Sequence, residues 1–310
     1  MLFFLIFFGV LLVMLIAFTL WLPSFVMTGK RQTLAEALDW QSNHYDTSFY
    51  QKLAKADYTV AGENGYTLHV EYLKNPSEST KYIILSHGYT DNRIGSLKYV
   101  PMYLELGFNC IIYDLRGHGE NEPHITTYGV LEGVDLDLLI RDTSVRYPDL
   151  TVLGLHGESL GAATTITALK YKPEVDFVVA DCGFSDIENV LKHGYRNAHM
   201  PELLFELTDI GARLRYHYSL KAMRPIESLA GNKIPILFIH GAKDSLILPK
   251  NSEEMAEKTQ GYRELFFLPG AGHAESILTD RAQYQEYVAK FLKGLGIEDF
   301  DSSASPRRNK

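Results

Sequence analysis

Between residues 82 and 268 the chain alternates short, largely apolar runs with longer stretches of helical periodicity, and that alternation limits its architecture more than any other feature. The short runs are 82–85, 109–113, 152–155, 177–180, 236–239 and 265–268, while helical periodicity falls near 93–106, 127–146, 160–171, 250–260 and 281–294. Short runs apolar on both faces, separated by crossover helices, pack as parallel strands with helices on either side. Residues 58–60 and 67–73 are also strand-like and bracket Gly62-Glu63-Asn64-Gly65, a turn signal. The expectation is an α/β fold with a mostly parallel central sheet flanked by helices and opened by an antiparallel hairpin.

Two segments depart from this rhythm. Between the strand ending at Asp181 and the one starting near Ile236 lie about fifty residues, far more than an ordinary connection. Leu203, Leu207, Ile210 and Leu214 make a helical stripe there, accompanied by Tyr195, His199, Tyr216, His217 and Tyr218. This insertion, about 183–232, reads as a helical cap, with a pair of ordinary packing helices as the alternative. The other departure is residues 1–22, which carry no charged side chain. As a helix they would extend about 33 Å, against a hydrocarbon core of about 30 Å. They lack the basic start and small-residue cleavage site of a signal peptide, so a transmembrane anchor is expected, with the lipid bilayer as its partner; a removed signal and a buried or interfacial helix are the alternatives. Lys30 and Arg31 follow the span, and the positive-inside tendency places the large domain in the cytoplasm, a vote weakened by Glu36 and Asp39. Residues 23–56, with Leu34, Leu38 and Leu53 at loosely helical spacing, read as a helical connector. The main domain is expected over 57–296 and a disordered tail over 297–310.

Of the 310 residues 46% are apolar, enough for a full core. The net charge of -8 argues against nucleic acid, because phosphate-backbone affinity rests on clustered lysine and arginine. Cys110 and Cys182 lie in or beside apolar runs and read as buried small hydrophobes. They are too few for a disulfide framework or a metal set, so no metal or organic cofactor is expected.

The chemistry concentrates at three strand ends. Gly157-Glu158-Ser159-Leu160-Gly161 joins a strand to a helix, the setting in which a sharp turn exposes a serine hydroxyl. A hydroxyl is a weak nucleophile at neutral pH, so a base must take its proton and a third group must orient that base. After the run 236–239 comes His240-Gly241-Ala242-Lys243-Asp244, and after 265–268 comes Pro269-Gly270-Ala271-Gly272-His273. Ser159, His273 and Asp244 are thus candidates for nucleophile, base and orienting acid at one sheet edge, with Asp181 as the substitute acid. Glu158 and Glu275 are expected to shape local hydrogen bonding. Oxyanion donors are expected in the N–H of Leu160, at a helix start, and that of Tyr89, in a loop that Gly88 lets fold back.

His87-Gly88-Tyr89, the loop Asp114-Leu115-Arg116-Gly117-His118-Gly119, the Gly-Glu-Ser-Leu-Gly turn, Asp244 and His273 together resemble the α/β-hydrolase superfamily over about residues 58–294. More narrowly the chain is similar to bacterial membrane-anchored hydrolases of the serine aminopeptidase-like and acyl-aminoacyl peptidase-like groups. The resemblance implies an α/β-hydrolase fold and a loop at 114–119 that helps set the rim of the site. This loop departs from the family pattern, in that Gly119 is followed by Glu120-Asn121-Glu122-Pro123 rather than by a nearby serine. The expected function is a serine hydrolase that cleaves a carboxylic ester through an acyl-enzyme. A peptidase for short peptides and an acyltransferase are the alternatives, and an anchored binding protein without activity the remote one. Arg196, Arg213, Arg215 and Arg224 in the cap suit an amphipathic acyl substrate or a peptide carboxylate, or simply the surface.

Overall fold

The computed structural model describes residues 1–297, so the expected tail lies, from residue 298 onward, outside the described residues. Four helices come first: α1 (Leu2–Trp21), α2 (Pro23–Met27), α3 (Leu34–His44) and α4 (Ser48–Lys52). The hairpin β1 (Lys55–Ala61) and β2 (Thr67–Leu73) follows, then β3 (Lys81–Ser86), α5 (Val100–Glu105), β4 (Phe108–Tyr113), α6 (Val130–Arg146), β5 (Val152–Glu158) and α7 (Leu160–Ala168). Next come β6 (Phe177–Asp181), α8 (Ile187–Asn197), α9 (Leu203–Tyr216), β7 (Ile236–Gly241), α10 (Lys250–Lys258), β8 (Arg263–Leu268), α11 (Ser276–Thr279) and α12 (Arg281–Gly294).

The strands form one sheet in the order β1-β2-β4-β3-β5-β6-β7-β8, antiparallel at β1/β2 and β2/β4 and parallel thereafter. Successive residues of each strand feed opposite faces. Ile84 and Leu155 join Leu139, Ile166 and Met255 on the side of α6, α7 and α10, whereas Ile83 and Leu85 join Tyr103, Tyr284 and Phe291 on the side of α5 and α12. Burial on both faces is what the continuous apolar runs require.

Residues 93–106, read as helical throughout, divide into a 3-10 turn (Arg93–Lys98) and α5. Pro101 lies in the first turn of α5, where its missing N–H costs nothing, and Asn92 caps the 3-10 turn by accepting from the N–H of Ile94 at 3.1 Å. The long insertion carries α8 and α9, which pack on each other.

The N-terminal helices are stitched into this frame. The apolar stretch runs from Leu2 to Met27 with a mean hydropathy of 2.9, past residue 22, and is a candidate membrane span. Up to Phe18 its side chains are exposed; from Thr19 it packs on α9. At Gly211 of α9 an added Cβ would stand 1.9 Å from the Thr19 carbonyl oxygen and 3.0 Å from Pro23, so only glycine permits this approach. Arg215 adds hydrogen bonds to the Leu20 carbonyl at 3.1 Å and to Ser24 Oγ at 2.7 Å.

Beyond α2 the chain is pinned again. Met27 is fully buried, and the Arg31 guanidinium donates to the carbonyls of Gly117, His124 and Met27 and to Thr126 Oγ1. Gln32 N–H donates to the Thr90 carbonyl at 2.8 Å. Helix α3 then starts on a reciprocal cap, Thr33 Oγ1 accepting from the N–H of Glu36 while Glu36 accepts from that of Thr33. β1 starts at Lys55, inside the span read as connector.

Candidate active site

Ser159 sits between β5 and α7 with φ 54° and ψ −112°, a strained conformation for a residue with a side chain. Its neighbours enforce it. A Cβ at Gly161 would lie 2.0 Å from the Ser86 carbonyl oxygen, so α7 starts pressed against the end of β3, and Ser159 N–H donates to the Asp181 carbonyl at 2.9 Å.

The structure brings three of the expected side chains together. His273 Nε2 lies 2.9 Å from Ser159 Oγ, and His273 Nδ1 lies 2.7 Å from Asp244 Oδ2. Asp244 Oδ1 accepts the N–H groups of Leu246 and Ile247, each at 2.9 Å. His240 Nε2 stands 3.2 Å from Asp244 Oδ2, and its Nδ1 lies 2.7 Å from Ser252 Oγ. Burial raises the pKa of Asp244, but the bonds from His240 and His273 outweigh it and hold the carboxyl well below the usual carboxylate range. Asp181 is directed elsewhere: its hydrogen bonds run to Tyr99 and Ser276 rather than to His273.

Beside the serine lies a charged cluster, of which Asp91, Lys98 and Glu158 also line the cavity over it. The β5/β6 register sets Glu158 beside Asp181. Tyr99 Oη is 2.5 Å from Glu158 Oε2 and 3.0 Å from Asp181 Oδ2, and one hydroxyl proton serves one of them at a time. Burial, then the Glu158 charge, pushes Asp181 up to about 6. Burial pushes Asp91 up to about 6 as well, Glu158 adding to the rise and the Asn92 amide opposing it. Lys98, on the 3-10 turn, is buried and forms an ion pair with Glu158 while donating to the Ala274 carbonyl at 3.0 Å. Burial works against its charge, but Glu158 overrides this and raises the Lys98 pKa. One ammonium therefore ties the residue before Ser159 to the residue after His273. Glu275 accepts the Gly272 N–H at 3.0 Å and shapes the same histidine loop.

The loop after β3 passes over the serine: a Cβ at Gly88 would lie 3.7 Å from Ser159 Cβ. His87 fixes this loop from within. Its Nε2 accepts the Leu115 N–H at 2.9 Å, which leaves Nδ1 protonated to donate to the Gly88 carbonyl at 2.8 Å. Burial pushes the His87 pKa down to about 4, so the neutral ring persists. Tyr89 lines the cavity above Ser159, and Leu160 is the first residue of α7.

The loop at 114–119 does not itself line the cavity, and residues 114–118 are buried. Asp114 is fully buried, accepts the Arg93 N–H at 2.8 Å and pairs with its guanidinium, and the His118 ring lies 5.2 Å from that of His87. It braces the His87–Tyr89 loop from behind. Glu120, where the family pattern is broken, pairs with Arg93 at 2.5 Å.

The cavity over Ser159 has a volume of about 610 Å³. One wall comes from the connector, with Gln32, Trp40, Gln41 and His44, and the opposing residues include Leu246 and Leu278. The four cap arginines take no part in its lining. Arg196, Arg213 and Arg224 pair with Glu202, Asp209 and Glu227, and Arg215 holds α1. Cys182, Asp244 and His273 hold ligand-capable atoms within 4.8 Å of one another. They do not suit a metal, because burial raises the Cys182 thiol far above its ordinary pKa and Asp244 and His273 are bonded to each other. Cys110 is likewise buried and unpaired with Cys182.

Comparison with known proteins agrees with the geometry. The chain is 28% identical to YqkD, an uncharacterized protein of Bacillus subtilis, over 93% of this chain and 96% of that one. It is 24% identical to the alpha/beta hydrolase domain-containing protein 17C of Xenopus tropicalis, over 84% and 75% of the two chains. Among solved structures, the esterase Pf2001 of Pyrococcus furiosus superposes with a TM-score of 0.68 over 80% of this chain and 94% of that one, at 24% identity. The fold is that of the α/β-hydrolase superfamily. Residues 139–295, which include the strand ends bearing Ser159, Asp244 and His273, match the model of one hydrolase family, and the chain belongs to the prolyl oligopeptidase family.

Proposed function

We propose that this hydrolase is a serine esterase working through Ser159, His273 and Asp244. The reading is carried by the unbroken chain Ser159 Oγ, His273 Nε2, His273 Nδ1, Asp244 Oδ2, with contacts of 2.9 and 2.7 Å, at a serine held in a strained turn. His273 Nε2 takes the Ser159 proton as Oγ attacks the substrate carbonyl, and the ionised Asp244 stabilises the resulting imidazolium. The N–H groups of Tyr89 and Leu160 receive the oxyanion. Collapse expels the alcohol, which takes the proton from His273, and leaves an acyl group on Ser159. A water molecule, deprotonated by the same imidazole, then releases the acid and restores the serine.

Trp40, Leu246 and Leu278 give the cavity apolar walls suited to an acyl chain, and the Pyrococcus furiosus relative in fold is an esterase. The name of the family favours a second reading, a peptidase acting on short peptides. An acyltransferase would differ only in the acceptor that meets the acyl-enzyme. Ser159→Ala is expected to abolish covalent labelling by a fluorophosphonate and to lower kcat by about 10⁴ to 10⁶. Retention of most activity would remove Ser159 from the mechanism. A panel of p-nitrophenyl esters against aminoacyl anilides separates esterase from peptidase.

The same reading takes residues 1–22 as a membrane anchor, 23–56 as the connector, 57–296 as the hydrolase domain with its cap at 183–232, and the domain as cytoplasmic. The exposed, uncharged α1 and the positions of Lys30 and Arg31 support it. Alkaline carbonate extraction and protease accessibility of spheroplasts test the anchor and its direction.

A further inference from the structure

Helix α9 has three distinct sides. Phe205, Thr208, Asp209 and Ala212 are buried toward the body of the protein. Gly211 and Arg215 form the seat of α1, as described above. Leu203, Leu207, Ile210 and Leu214, at about 100° of turn per residue, fall on one strip centred roughly 70° around the helix from Gly211. Leu203 is 68% exposed, Ile210 45% and Leu214 64%. The apolar strip thus runs immediately beside the membrane-candidate helix, with Leu207 partly buried and Leu203, Ile210 and Leu214 exposed among the described residues.

The length of α1 decides what lies there. Leu2–Phe18, the part of the helix free of the protein body, rises only about 26 Å. A hydrocarbon core of about 30 Å extends about 4 Å beyond it, to the level of Thr19–Trp21, with Phe25 at the boundary below. That is the level at which α9 is seated. Trp21 and Phe25 are exposed there, at 52% and 58%, and aromatic side chains favour the membrane–water boundary.

We propose that the exposed strip of α9 rests in the boundary layer of the bilayer that α1 enters, so that lipid is the partner of the cap. The proposal rests on the reading of α1 as a membrane anchor. The strip has the form of an interfacial helix face, apolar residues bordered by the charged Glu206 and Arg213, on a helix that packs directly against α1.

The test uses the full chain reconstituted in vesicles of phosphatidylethanolamine and phosphatidylglycerol containing headgroup- and acyl-nitroxide lipids. Single cysteines at Val10→Cys, Ile210→Cys and Val145→Cys carry an environment-sensitive fluorophore; Cys110 and Cys182 are buried and do not react. Val145 is an exposed apolar residue of α6 outside the α1 seat and serves as the comparison. Strong quenching at positions 10 and 210, with position 145 at its lipid-free intensity, is the expected result. Quenching at 10 without 210 overturns cap docking and leaves the anchor standing. Absence of quenching at both overturns the proposal together with the anchor. Equal quenching at 145 also overturns it, because the contact would then not belong to α9. In the intact cysteine background, Leu203→Glu with Leu214→Glu is expected to lower turnover of a vesicle-borne ester several-fold while turnover of a soluble p-nitrophenyl ester stays unchanged.

Discussion

At the scale of single residues the three side chains that converge at the candidate site were legible because they are tied to punctuation: Ser159 lies between two glycines, and Asp244 and His273 each follow a strand run. Lys98 and His240 carried no such sign. A single lysine in a helical stretch reads as a surface residue, and only the folded position of the 3-10 turn shows its ammonium bridging Glu158 and Ala274. Lys98→Met is expected to destabilise the protein by about 3–5 kcal/mol by leaving a buried carboxylate unpaired. Adding Glu158→Gln is expected to recover most of that stability but not the rate, since the carbonyl that positions the His273 loop remains untethered. Urea unfolding and kcat measured on the same three proteins distinguish the two effects. His156 supplies a pH prediction. It is buried between Tyr103 and Tyr284, and burial, with Lys98 adding, pushes its pKa down to about 3. An unfolded histidine takes a proton near pH 6.5 and the folded one does not, so stability falls as pH drops through that window, by about 2 kcal/mol between pH 7 and 5. Asp91 and Asp181, which protonate near pH 6 when folded, act in the opposite sense and make the overall acid loss shallower. His156→Gln is therefore expected to lose less stability than the parent over that interval, measured as the shift of the urea midpoint at the two pH values.

Elements were legible where the local pattern and the final environment agree. All eight strands were readable: the inner ones because apolar runs buried on both faces stay apolar whatever covers them, β8 by its apolar run at a half-buried edge, and β1 and β2 by the turn at 62–65. The division of 93–106 into a 3-10 turn and α5 was hidden, since it follows from the tie between Arg93 and Asp114 as much as from Pro101. Equally hidden was the role of α3. Its mild periodicity reveals a helix, but nothing local reveals that Trp40, Gln41 and His44 wall the cavity over a serine more than a hundred residues away. The junction of β5 and α7 makes the sharpest demand on an element. Gly161→Ala would set a methyl 2.0 Å from the Ser86 carbonyl oxygen and drive the start of α7 away from β3. A displacement of about 1 Å at a reacting group costs about 10²-fold, so labelling by a fluorophosphonate is expected to slow by at least that factor, with a lowered Tm beside it.

Across the whole molecule, the N-terminal region and the hydrolase domain form one body rather than a domain on a string. Truncation tests this. A chain starting at Leu22 keeps Met27 and the Arg31 contacts and is expected to label with fluorophosphonate at a rate within about twofold of the full chain, as folded domains tolerate loss of segments that carry few of their contacts. A chain starting at Gln32 loses the four hydrogen bonds of Arg31 and the buried Met27, and is expected to melt lower and label slowly. Comparison of the two by thermal melting and labelling rate separates the span from the stitching. The Arg31 knot has a further consequence for how such an enzyme would forage. A catalyst on a slack leash sweeps a hemisphere and meets whatever drifts through it; one bolted to its post through a guanidinium keeps its mouth at a single altitude and tilt. On the proposed reading of α1 as an anchor and of the enzyme as an esterase, its diet would be set by what presents a carbonyl at that height, and thickening the membrane would starve it of embedded esters while leaving its appetite for freely diffusing ones untouched.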